Sequence, residues 1–240
     1  MSEWKKKRFW KQAAVAEGAD GLGWQVELDG RALRTPAKAQ LVLPSAGLAA
    51  AIAAEWEAQE GEIDPASMPF TRSANSAIDK IVPQFDEVAA LVAEYGGSDL
   101  LCYRADGPES LVQRQADAWD PLLDWAASGL GAPLSATSGI MHVAQPANSV
   151  ATLEQQIRAL TPFQLAAMHD LVALSGSLVI GLAVMHEVLD SADLWNRSRL
   201  DEQFQAEQWG IDEEAAEVAE RKRNDFLHAE RFLRLSTPDA

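Results

Sequence analysis

The sequence predicts an α+β fold, with a small amino-terminal antiparallel sheet domain carrying short helices, followed by a larger all-α helical domain. Three observations predict it. The stretch GWQVELDG alternates Trp24, Val26 and Leu28 with Gln25, Glu27 and Asp29, which gives a strand one apolar face. Asp29-Gly30 then supplies a two-residue hairpin signal. Beyond Pro83 the period-two pattern fades and apolar residues recur at helical spacing. The boundary is placed there, dividing residues 1–83 from residues 84–240.

The elements follow in order. RFWKQAAVAE pairs with the Trp24 strand across the turn GADGLG. RALRTP returns as the next strand, ending at Pro36, and QLVLPS is a further short strand. Ser45 is an N-cap for the alanine-rich helix AGLAAAIAAEWEAQEG, which stops at Gly61. Leu48, Ile52, Glu55 and Trp56 share one stripe of that helix. A loop with Pro65 and Pro69 leads to a second short helix, TRSANSAIDKIV, with Pro83 as its break.

The helical part contains FDEVAALVAEYGG, then ESLVQRQADAWDPLLDWAASGLG. A long periodic stretch follows from Ser149 to Asp190, which Pro162 cuts into two helices. Its most apolar run, Leu171 to Met185, is about 15 residues, short of the roughly 20 that span a bilayer. It reads as a buried core helix, with no membrane insertion. SADLWNRSRLDEQFQAEQWG and DEEAAEVAERKRNDFLHAERFLRL complete the periodic segments.

Composition narrows the function classes. Across 240 residues, 48% are hydrophobic and 23% charged, which is ample for a packed core. The net charge of −16 repels nucleic acid and anionic lipid, and the run Lys5-Lys6-Lys7-Arg8 is too short to reverse it. Cys102 is the single cysteine, so no internal disulfide or thiolate metal cluster forms. Its apolar setting in DLLCYR favours a buried, inert thiol. No apolar signal segment follows the charges at the start of the chain.

The search for chemistry returns little. There is no phosphate-binding loop and no GxSxG. MHEVLD begins like a zinc-protease helix at His186-Glu187, but Asp190 stands where the second histidine ligand belongs. A metal-dependent or carboxylate hydrolase using His186 and Glu187 is the alternative enzymatic reading. The more unusual feature is eight tryptophans, several beside charges, as in EWEAQ, LWNRSRLDE and EQWG. Such residues either pack an amphipathic helix or anchor a partner.

Three blocks carry a resemblance. Ala53 to Asp79, Asp99 to Ala126 and SRLDEQFQAEQWG together resemble the F-type ATP synthase assembly chaperone that handles the alpha subunit, the family called ATP-twelve in yeast nomenclature. The similarity runs from about Arg8 to about Glu217, with the blocks in family order. It implies a non-enzymatic chaperone without cofactor. This chaperone would shield the interface of unassembled alpha subunit until the beta subunit displaces it. It also implies a small α+β domain before a helical one. The start of the chain points to a bacterial cytoplasm, where family relatives in eukaryotes act in the mitochondrial matrix. A monomer when free suits that role.

The resemblance places the family's acidic position of SRL-acid on Asp201, and its tryptophan of EWEAQ on Trp56. As a helix, SRLDEQFQAEQWG sets Leu200 and Phe204 about 40° apart on an inner stripe. Trp209 falls about 180° from Leu200, beside Glu202 and Gln205. It either leaves the helix at Gly210 and packs, or stands on the outer face. Arg199, Asp201, Glu202, Gln205 and Trp209 are therefore the candidate partner contacts. Trp24, Trp56, Leu200 and Phe204 are assigned to support the fold.

Overall fold

The computed structural model describes residues 7–18, 21, 23–139 and 141–238. Lys5 and Lys6 of the basic run, and Ala19, Asp20 and Leu22 of the first turn, lie outside them. The architecture is α+β, and the chain forms two compact units. The first draws on the described residues up to Phe85, on Thr161–Ala166, and on the described residues from Arg231 onward. The second comprises Asp86–Leu160 and Ala167–Glu230. The units are thus interleaved in sequence.

In the first unit, β1 (Ala13–Glu17), β2 (Trp24–Leu28) and β3 (Arg31–Ala32) form an antiparallel sheet in that order. Val15 stands opposite Val26, and Val26 and Leu28 turn into the core. The Asp29-Gly30 turn is present, with both residues at positive φ. RALRTP pairs for less than its expected length, because Thr35 to Lys38 already turn, Lys38 N–H donating to the Thr35 carbonyl. QLVLPS contributes only single bridges, Gln40 to Arg34 and Leu43 to Trp24.

The helix α1 (Ala46–Glu57) opens as its sequence dictates, with Ser45 accepting from Leu48 N–H. The Ser45 hydroxyl also donates to the Leu235 carbonyl at 2.5 Å. The helix ends at Glu57, before the expected stop at Gly61, where Arg8 collects its last carbonyls. The guanidinium donates to the carbonyls of Glu57 and Gln59 at 2.7 and 2.8 Å and pairs with the Glu57 carboxylate at 2.9 Å. Cationic charge at a helix C-terminus is favourable. Glu55 does the complementary task for α2 (Pro69–Ser76), whose own N-cap residue Met68 offers no side-chain acceptor. Its carboxylate accepts from the amides of Phe70 and Thr71 and from the Thr71 hydroxyl. Burial raises its pKa, and those hydrogen bonds pull it back down.

Pro83 does not break the chain here. A π turn over Ala77–Ile81 carries α2 into a 3-10 turn at Val82–Gln84 and then into α3 (Phe85–Glu94), with helical dihedrals throughout. The wider turn lets Val82 N–H reach the Ala77 carbonyl, and a proline at the start of the next turn has no amide to lose.

The second unit is helical, apart from a parallel pairing of β4 (Tyr103–Arg104) with β5 (Thr137–Ser138) that no sequence signal announced. Its helices are α4 (Glu109–Gly129), α5 (Ala147–Arg158), the later part of α6 (Pro162–Ser175), α7 (Leu178–Met185), α8 (Ser191–Ser198), α9 (Leu200–Trp209) and most of α10 (Glu213–Leu235). The apolar run expected as one helix is two, because Gly176 adopts φ 75° and Ser177 caps a new start. Every residue from Leu178 to Val184 is buried. The amides of this buried start are satisfied from within: Ser177 Oγ accepts from Ile180 N–H at 3.0 Å and Asp99 accepts from Val179 N–H at 2.9 Å. Asp99 also accepts from Ser177 Oγ and Leu101 N–H and is fully buried. Burial raises its pKa, opposed by the bonds from Val179, Leu101 and Ser177.

Four outcomes are expected. Asp99→Ala leaves several buried donors without an acceptor and should cost several kcal/mol in urea unfolding, at roughly 1–3 kcal/mol per orphaned group. Asp99→Asn keeps one acceptor and should cost less. Because the folded state raises the Asp99 pKa, its contribution is fully present below the ordinary carboxylate value and declines as pH rises through the raised one. The stability difference between wild type and Asp99→Asn should change with pH in that sense. Separately, Glu55→Ala should lower the melting temperature by an amount corresponding to about 1–3 kcal/mol.

Candidate partner interface

The segment SRLDEQFQAEQWG is not one helix with its upstream neighbour. Arg199 adopts φ −111° and ψ 17°, ending α8 and starting α9. Asp201 and Glu202 fall in the first turn, where the helix dipole favours acids. Phe204 is buried and Leu200 half-buried, forming the inner stripe expected of them. Arg114 of α4 stacks over the Phe204 ring at 5.4 Å and pairs with Glu207 at 2.7 Å. Gln115, only 1% exposed, donates to Asp201 Oδ1 at 2.7 Å while accepting from Ala105 N–H at 2.8 Å. These contacts fix α9 on α4.

Asp201 is therefore half-buried and oriented at the border between the two faces. Arg199 is half-buried as well, and three of its nitrogens are engaged within the chain. Nε donates to the Ser198 carbonyl, Nη2 to the Ser175 carbonyl at 3.4 Å, and Nη1 pairs with Glu202 at 3.0 Å. Its guanidinium also lies 5.3 Å from the Trp195 ring centroid. It shapes the start of α9 more than it offers a free cation.

Glu202, Gln205 and Trp209 are exposed and share the outer face at spacings of three and four. Of the two placements open for Trp209, the outer one is found: the indole is 80% exposed. Gly210, at φ 95°, turns the chain there. Ile211 beyond it is 77% exposed and belongs to the same tip. Sequence reasoning missed it, although an isoleucine between Gly210 and the helix-capping Asp212 is an apolar residue with no periodic partner. Met141 is a further exposed apolar side chain of this unit.

The remaining candidates lie elsewhere. Trp24 is half-buried in β2, paired with Glu17 on one side and Leu43 on the other. Trp56 is half-buried in α1, its ring edge-on to Trp10 at 5.1 Å. His186 and Glu187 do not form the metal site of the hydrolase reading. The helix α7 ends at Met185, Glu187 takes φ 52°, and Asp190 instead caps α8 through the amides of Ala192 and Asp193. Among the described residues no three histidine, cysteine or acidic groups are grouped to hold a metal ion. Burial pushes the Cys102 thiol up to about 12, far from a reactive thiolate. Among the described residues no helix is long and apolar enough to cross a membrane.

Known proteins share the frame that carries this face. The chain matches the family described as ATP12 chaperone protein over residues 7–127. It is 51% identical to Atp12 of Paracoccus denitrificans, whose crystal structure superposes with TM-score 0.94 over 98% of this chain and 100% of that one. A second solved relative is a putative chaperone of Agrobacterium tumefaciens, 42% identical, with TM-score 0.90 over 95% of this chain and 85% of that one. The mitochondrial protein atp12 of Schizosaccharomyces pombe is 25% identical over 227 residues, 88% of this chain and 76% of its own length. The chain is a member of the ATP12 chaperone family.

Proposed function

We propose that this protein is an assembly chaperone of F-type ATP synthase that binds the unassembled alpha subunit and shields its subunit interface until the beta subunit takes its place. The observation that carries this reading is the 51% identity to Paracoccus denitrificans Atp12 over nearly the full chain. The outer face of α9 supports it, since it joins an exposed aromatic to a polar, acidic surround, the make-up of a binding hot spot. Reversible cover of apolar client surface needs no nucleotide, because the rightful neighbour drives release by competing for the same area. Bacterial relatives at 51% and 42% identity favour a bacterial cytoplasm as the place of action.

Co-expression with the alpha subunit tests the proposal. Soluble alpha subunit should depend on this protein, and the two should co-elute on gel filtration; alpha yield indifferent to its presence would refute the role. Asp201→Lys should weaken that complex while costing the free protein about 1 kcal/mol, since Gln115 loses a hydrogen-bond acceptor. Unchanged affinity in this variant would remove Asp201 from the interface.

A further inference from the structure

The tip that joins α9 to α10 has a composition and an exposure that the fold itself does not require. From Asp201 to Glu217 there are seven acids and no lysine or arginine. Every residue from Ile211 to Glu217 is exposed, so the opening turns of α10 bury no stripe at all. A helix normally earns its place by covering an apolar face. This one starts from local devices alone: Asp212 accepts from the amides of Glu214 and Ala215, and the acids sit at the positive end of the helix dipole. At the apex of this polar, anionic surface stand two large apolar side chains, Trp209 and Ile211, on either side of Gly210.

We infer that Trp209 and Ile211 are the anchor of the interface, seated in an apolar pocket of the partner that is bordered by lysine and arginine side chains. Resting on the proposed function, that pocket belongs to the unassembled alpha subunit. Charge selects the occupant. A second copy of this chain would bring seven acids against seven, and an anionic membrane is repelled in the same way. A basic rim instead meets Glu213, Glu214 and Glu217, which speed encounter and set orientation while the two apolar side chains supply the anchoring. Asp201, half-buried against Gln115, then lies at the edge of the contact.

The test is titration of purified full-length protein against isolated alpha subunit, with sedimentation of the free protein alongside. Trp209→Ala should weaken binding at least about tenfold with an unchanged melting temperature, and Ile211→Ala should weaken it less. Wild-type affinity should fall between about 50 mM and 500 mM salt, and a variant with Glu213→Gln, Glu214→Gln and Glu217→Gln should show a flatter dependence. If wild type binds and Trp209→Ala binds within about twofold of it, the anchor is wrong while the chaperone reading stands. If wild type does not bind the alpha subunit at all, the chaperone reading falls and this assignment with it. Self-association of the wild type that Trp209→Ala abolishes would identify a second copy as the occupant and overturn the inference.

Discussion

A helix that is apolar on every side must be surrounded by protein, and its ends then carry polar backbone groups into the same dry interior. In this chain the helix is α7 and the answer is Asp99 with Ser177. Asp99 accepts three hydrogen bonds without reaching water, from an amide and a hydroxyl at the start of α7 and from the amide of Leu101. One carboxylate thereby links the Leu100–Cys102 turn to the core helix. The neighbouring backbone follows suit, with Leu100 N–H donating to the Gly176 carbonyl at 3.1 Å. An unpaired charge in that position would be costly, and the set of donors around it is what makes the burial tolerable.

The consequence reaches α9. Ser175, the residue before the Gly176 break, turns its carbonyl toward Arg199, which ends α8 and pairs with Glu202. Trp119 of α4 donates to the Arg197 carbonyl, and Arg197 reaches back to the Ala118 carbonyl in the helix that also carries Gln115. The outer face of α9 is thus presented by a frame in which the carbonyls of Ala118, Ser175 and Arg197 each accept a side-chain hydrogen bond inside the unit. Of the exposed side chains on it, Glu202 is held by Arg199, and Trp209 is 80% exposed.

How much of this was legible in the sequence depended on how far apart the cooperating residues lie. The Ser45 cap and the Asp29-Gly30 turn rest on neighbours, so local pattern showed them. The inner stripe of Leu200 and Phe204 followed from helical spacing in the same way. The role of Asp99 did not, because its partner Ser177 is 78 residues away and an aspartate followed by LLCYR looks like a loop residue. The Gly176-Ser177 break was written locally but was masked by the strong hydrophobicity on either side. Pro83 misled for the opposite reason: a proline reads as a stop unless a π turn ahead of it takes up the strain. The outer position of Trp209 is the one the helix wheel gives, and it holds because α9 continues through Trp209 and ends only at Gly210. The engagement of Arg199 with Ser175 had no sequence signal at all.

The interleaving of the two units carries a consequence for how the chain is made. The first unit includes Thr161–Ala166 and residues from Arg231 onward, as well as the sheet and its helices. During synthesis the sheet strands and α1 leave the ribosome early, yet Ser45 cannot meet the Leu235 carbonyl until nearly the whole chain has emerged. The contacts of the first unit are therefore completed only by residues from Arg231 onward, which follow Glu230, the last residue of the second unit, in the chain. Loss of the last turns of α10 would be felt most by the part of the protein that was translated first.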